Sequence, residues 1–154
     1  MEHTNRTMLR TAAIVGTAVF LGGSLAGCSA LENVKNSAAD AWKVTYELSV
    51  ESADPAEPVM LTDVSYLDQP TRTEKRSTVS ESEVLAASTP GGLALWSTES
   101  IVIVGDTTSI SATPAEGDSL TCKILLDGER EIATQTGEPG ESVSCEAVAP
   151  PFDK

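Results

Sequence analysis

The chain is predicted to be an all-β protein: a two-sheet sandwich with one disulfide, preceded by an export signal and a short tether. Three observations carry this expectation. Beyond Lys43, apolar side chains recur every second residue in about eight short runs separated by Gly, Pro and Asp turn signals. Helical spacing is confined to a weak stretch between Ser29 and Ala41. Cys122 and Cys145 both fall on the apolar faces of their runs, as an inward-pointing cystine requires. The resulting division is a signal over 1–27, a tether over 28–42, a β domain over 43–149 and a tail over 150–154.

At the N-terminus, Arg6 and Arg10 form a basic start, Thr11 to Leu21 an apolar stretch, and Gly22 to Gly27 a small-residue approach to Cys28. That layout fits a cleaved export signal better than a folded element. The run Leu25-Ala26-Gly27-Cys28 resembles a bacterial lipoprotein signal. The resemblance implies cleavage before Cys28, a diacylglycerol on its sulfur and often a third chain on its new amino group. Two or more acyl chains suffice for stable anchoring. The alternative is an uncleaved membrane helix over Thr11 to Ala30. A spanning helix needs about 20 mostly apolar residues, and Gly22, Gly23, Ser24 and Gly27 dilute the second half. Either reading places the remainder on the extracytoplasmic face of the cell membrane. Ser29 to Ala41 carries apolar side chains at Leu31, Val34, Ala38 and Ala41 and is too short to be a stable isolated helix, so it reads as a spacer.

Packing is expected to begin at Trp42. Val44, Tyr46, Leu48 and Val50 then share one face of a first strand. The proline-punctuated acidic run Ser52 to Pro58 ends it. A second strand is expected over Asp63 to Leu67, and a third within Arg72 to Ser82, where charge on both faces suggests a sheet edge. Ala86 to Gly92 reads as a loop. Leu93 to Trp96 leads into Ser100 to Val104, whose consecutive apolar residues fit a central strand covered on both faces. Thr108 to Thr113 forms a further strand with Ile110 and Ala112 on one face. Leu120, Cys122, Ile124 and Leu126 then point one way, Asp127-Gly128 supplies a tight hairpin turn, and Glu129 to Thr136 returns. A calcium loop would need regularly spaced oxygen ligands that this turn lacks. The last strand carries Val143, Cys145 and Ala147 inward, and Pro150-Pro151 ends the pattern.

Cys122 and Cys145 form an even pair in an exported chain and read as a disulfide, with free thiols the alternative. On a flat meander their strands would lie two spacings of about 4.8 Å apart, beyond the roughly 7 Å Cα limit for a bridge at level positions. The bridge should therefore join facing sheets, or strands made adjacent by a crossover.

Composition narrows the function. The chain has a formal charge of −13, and removal of residues 1–27 makes the balance slightly more negative. Such a field repels phosphate backbones, which argues against nucleic acid as a partner, and leaves anchoring to the lipid. The single histidine, His3, lies in the signal. Without it the mature chain has no Ser-His-Asp or Cys-His nucleophile system and no His-ligated zinc. With both remaining cysteines paired, thiolate metal sites go too. A noncatalytic protein without cofactor or metal is the expectation.

Read in order, Val44-Thr45-Tyr46-Glu47, Val64-Ser65-Tyr66-Leu67-Asp68, Leu95-Trp96, Ser109-Ile110-Ser111-Ala112, Thr121-Cys122-Lys123-Ile124-Leu125-Leu126-Asp127-Gly128 and Val143-Ser144-Cys145 resemble the MmpS family. These are small membrane-attached accessory proteins of actinobacteria. The resemblance implies an immunoglobulin-like sandwich outside the membrane, its cysteines bridged, working with an MmpL-type transporter that exports lipids or siderophores. Family members usually keep an uncleaved helix, whereas this chain carries the lipoprotein pattern. The leading expectation is an accessory domain presenting a sandwich face to a transporter or other envelope protein. Trp96 is its candidate anchor, since tryptophan is enriched at binding hot spots; a core position beside the cystine is the competing reading. The alternative function is binding of a small apolar ligand between the sheets or at their open end, with Tyr46, Tyr66 and Trp96 as candidate lining.

Overall fold

The structure, a computed structural model, describes residues 39–51 and 57–152. Cys28, the signal and the tether up to Ala38 lie outside the described residues. Eight strands make up the fold: β1 (Ala41–Glu51), β2 (Val59–Asp68), β3 (Ser77–Ser88), β4 (Ala94–Ile103), β5 (Thr107–Thr113), β6 (Ser119–Leu126), β7 (Arg130–Thr136) and β8 (Val143–Val148). No helix occurs among the described residues. Every pairing is antiparallel, and the strand order is β7-β6-β1-β4-β3-β2-β5-β8.

The all-β class and the disulfide are as expected. Cys122 on β6 and Cys145 on β8 are bridged with their Cα atoms 6.0 Å apart. These strands are not neighbours in the hydrogen-bonded order, so the sheet curls until its two ends approach and the cystine ties them. The β3–β4 join is the slender part of the circuit. β3 pairs with β2 along its length, but with β4 only at Ala87 and Ser88. From Ser77 to Ala86 its second side therefore has no strand partner among the described residues. Glu81 and Glu83 on this stretch are the charges that keep such an edge from pairing with other chains.

Period-two alternation places the core. Val44, Tyr46, Leu48 and Val50 of β1 are buried, and they meet Leu61 and Val64 of β2, Ile110 and Ala112 of β5, and Leu120, Cys122, Ile124 and Leu126 of β6 in one cluster. The Asp127-Gly128 hairpin forms as expected. Both turn residues have positive φ, 52° and 76°, and Glu129 N–H donates to Leu126 C=O at 3.1 Å. Those two left-handed conformations are what a two-residue type I′ turn demands.

Three boundaries differ from the expectation. β2 begins at Val59 rather than Asp63, because Asp63 adopts φ 51° and the register against β5 shifts between Thr62 and Ser65. Val59 and Leu61 point inward before this bulge and Val64 after it, so strict alternation fails to connect them. β3 runs on through Ala86 to Ser88, where a loop was expected, since Val84 and Ala86 are buried against Leu61 and Val59. The turn is confined to Thr89 to Leu93, with Gly92 at φ 79°. Finally, Ala41 and Trp42 of the expected tether and Pro150 and Phe152 of the expected tail join the domain. Ala41 and Trp42 pair with Ile103 and Val102, the Trp42 Nε1–H donates to Pro150 C=O at 2.7 Å, and the Trp42 and Phe152 rings lie 4.0 Å apart.

Candidate functional site

Two of the three aromatic candidates are half-buried and the third is fully buried. Tyr46 on β1 is 1 % exposed, and its ring lies 5.6 Å from that of Tyr66 on β2. Tyr66 in turn lies 5.9 Å from Trp96 on β4. These tilted contacts make one aromatic row across the curled sheet, from its interior to the place where β3 and β4 part. Trp96 is the first β4 residue beyond the last β3–β4 pair, Ala87–Leu95. It packs against the core while staying partly accessible, so it combines the core and surface positions that the sequence set as alternatives.

Tyr46 is held by its hydroxyl, which donates to Leu67 C=O at 2.5 Å and shares a hydrogen bond with the Thr108 hydroxyl. This ties β1 to the end of β2 and the start of β5. Burial pushes the phenol above its ordinary value of 10.0; the Thr108 bond pulls the other way, and the Asp68 carboxylate pushes it further up. Tyr66 is raised too, by burial, with its Thr98 hydrogen bond opposing and Glu81 adding to the rise. A phenol that holds its proton more tightly folded than unfolded contributes full stability below about pH 10 and loses it as the pH rises through the folded value. The urea midpoint should therefore fall as the pH rises past about 10, and fall less in Tyr46→Phe. An equal fall in both proteins would show that Tyr46 is not linked to folding.

Gln69 is a structural residue that the sequence did not single out. It is 2 % exposed, its N–H donates to Ser100 Oγ at 2.8 Å, and its C=O accepts from Ile101 N–H at 3.1 Å. Its side-chain amide donates to the carbonyls of Arg72 and Glu74. Gln69 thereby closes the lower part of the gap between β2 and β4 and shapes the following loop. A lone Gln before Pro70 carries no periodic signal that could have found it.

The end of the domain at which Ala39 begins, hereafter the base, holds an open cleft of about 510 Å³. Trp42, Lys43, Arg72, Glu99, Ile101 and Asp127 are among its lining residues. Lys43 pairs with Glu99 at 2.6 Å, and the Arg130 guanidinium lies 5.9 Å from the centre of the Trp42 ring. Arg72 donates to Ala39 C=O at 3.3 Å. Lys43 and Glu99 are the ion pair of this cleft, and the rest of its lining, with Ala41, Trp42, Pro70 and Ile101, is more apolar than polar. Tyr46, Tyr66 and Trp96, the expected lining for a small apolar ligand, are not among the residues that form it.

Charge is divided along the strands. Lys43, Arg72, Lys75, Arg76 and Arg130 lie at the base, interleaved with at least as many carboxylates, while Lys123 sits at mid-height opposite Glu47. At the opposite end, the tip, the loops and strand ends carry Glu51, Glu57, Glu116, Asp118, Glu138 and Glu141 and, among the described residues, no Lys or Arg. Near the tip, on the outer face of β2 and β3, Met60 and Leu85 stand directly opposite each other and are 48 % and 63 % exposed. The inward neighbours Leu61 and Val84 are buried, so this apolar pair is the outward complement of the same alternation.

Among the described residues, no group of three or more His, Cys, Asp or Glu side chains converges as a metal site would require. No family model matches the chain, and comparison with curated proteins and with solved structures finds no significant similarity to either.

Proposed function

We propose that this chain is a noncatalytic lipoprotein of the MmpS type, anchored through acylated Cys28 on the extracytoplasmic face of the cell membrane. Its β domain acts as an accessory module for an envelope transporter of the MmpL type, exporting a lipid or siderophore. In this reading the curled eight-stranded sheet is an immunoglobulin-like sandwich, β7-β6-β1-β4 facing β3-β2-β5-β8, with the slender β3–β4 join as the crossing between layers.

The observation that carries the reading is the Met60–Leu85 pair. Two large apolar side chains lie opposite each other on an otherwise polar outer face, near the tip of the domain and away from the base where the tether joins. A cross-strand pair of this kind offers a partner a compact apolar anchor of the sort that forms the centre of an interface. Trp96 and Tyr66 are half-buried and packed against the core. Their substitution would weaken binding by disturbing the sheet, whereas Met60 and Leu85 would touch the partner directly.

A photo-crosslinking amino acid at Leu85 tests the proposal in intact cells. It should capture a polytopic transporter, and the same crosslinker at Thr121 should not. Cys28→Ala, freed from the lipid, should lower capture from Leu85 by about tenfold or more, because tethering raises the effective concentration at the membrane. Capture of no membrane protein from Leu85, or equal capture from both positions, would sink the accessory role.

A further inference from the structure

We infer that the base of the domain, around Trp42 and Phe152, rests on the headgroup layer of the lipid bilayer and holds the acidic tip outward. The inference deepens the lipid-tethered reading above and depends on it. Three observations converge. Ala39, at the start of the described domain, and Phe152, at its far sequence end, lie at the same end of the fold, so the segment that would carry the tether joins at the base. The Trp42 and Phe152 rings stack there with Phe152 38 % exposed, while the indole N–H is satisfied by Pro150 C=O. Arg130 lies against the indole, and Lys43 and Arg72 line the adjoining cleft.

Aromatic bodies flanked by long cationic side chains suit a membrane interface, where rings sit at headgroup level and charged heads reach for water and phosphate. The division of charge adds direction. An anionic lipid surface repels the carboxylate-only tip more strongly than the base, where five cations offset part of the carboxylate charge. Charge thus supplies orientation, and the acyl chains supply affinity. Since β1 rises about 3.3 Å per residue, the domain stands roughly 35 Å tall, with the Met60–Leu85 pair well clear of the bilayer.

The chain contains two tryptophans, Trp42 and Trp96, which makes the orientation measurable. Trp96 pairs with Leu48, about 20 Å further along β1 than Trp42. The full-length protein, purified from membranes, would be reconstituted into vesicles containing phosphatidylglycerol and lipids brominated near the headgroup. Trp96→Tyr leaves Trp42 as the reporter and Trp42→Phe leaves Trp96. Trp42 fluorescence should be quenched at least about threefold more than that of Trp96, as expected for a ring at the interface. Phe152→Glu in the Trp96→Tyr background should lower the quenching by about half or more with only a small fall in Tm, since its side chain is outside the core cluster and touches Trp42 at the surface. Equal quenching of both tryptophans in protein that floats with the vesicles would overturn the orientation and leave the tether standing. Failure to float would remove the tether and this inference together, and Phe152→Glu without effect on quenching would remove Phe152 and the docking face it defines.

Discussion

Replacing Cys122 and Cys145 together by alanine should lower the unfolding free energy by about 3 kcal/mol and the Tm by roughly 10–20 °C. The bridge spans a sequence separation of 23 residues, and it joins β6 to β8, which share no ladder of hydrogen bonds. Without it, the free unfolded chain regains the entropy of that loop, and the approach of the two ends of the sheet depends on side-chain packing and on the Trp42–Pro150 and Tyr46–Thr108 hydrogen bonds. β8 is the more exposed of the two to this loss, because it pairs only with β5. Urea denaturation with and without reductant provides the check. A change below about 1 kcal/mol would mean that the closure is already held by packing and that the cystine is energetically idle.

Tyr46→Ala should cost about 4 kcal/mol, the magnitude seen when a large buried aromatic is truncated. The ring is 1 % exposed and touches the Tyr66 ring, and its removal also strands the Thr108 hydroxyl, itself 1 % exposed. A typical domain holds only about 5–15 kcal/mol in total, so this loss removes about a quarter to four-fifths of it. Tyr46→Phe separates the two contributions. It keeps the ring and should cost about 1–3 kcal/mol through the unpaired Leu67 carbonyl and Thr108 hydroxyl. Tyr46→Ala no more destabilising than Tyr46→Phe would show that the ring contributes little to the core.

Those two residues also show which parts of the molecule can be read from sequence. Val44, Tyr46, Leu48 and Val50 announce their inward face by alternation, and so does the first arm of the hairpin around Asp127-Gly128. Where the backbone departs from strict alternation, the reading fails. The bulge at Asp63 hid the first part of β2, and the run of small residues Ala86-Ala87-Ser88 looked like a loop although β3 continues through it. Alternation says which way a side chain points and nothing about which strand lies beside it. The order of the strands was therefore not legible, apart from the geometric requirement that Cys122 and Cys145 sit on strands that do not form a level meander.

The same limit applies to the candidate site. Trp96, Tyr66 and Tyr46 were singled out separately by residue type, and only the fold places them in one row. Trp42 and Phe152 come from opposite ends of the domain sequence, so no local pattern could predict their contact. A net charge of −13 likewise conceals that the described tip is purely acidic while the base mixes both signs. Totals average over a surface whose two ends differ.

The position of β1 has a consequence for biogenesis. The first strand to leave the ribosome ends up between β4 and β6, and its register with β6 reaches Leu126. Neither neighbour exists until most of the polypeptide has been made, so a nascent chain carries an adhesive, unzipped ribbon through most of its synthesis. Contacts so distant along the chain make maturation slow and leave the incomplete product prone to clumping. Holdase assistance during synthesis or passage across a membrane is the natural remedy.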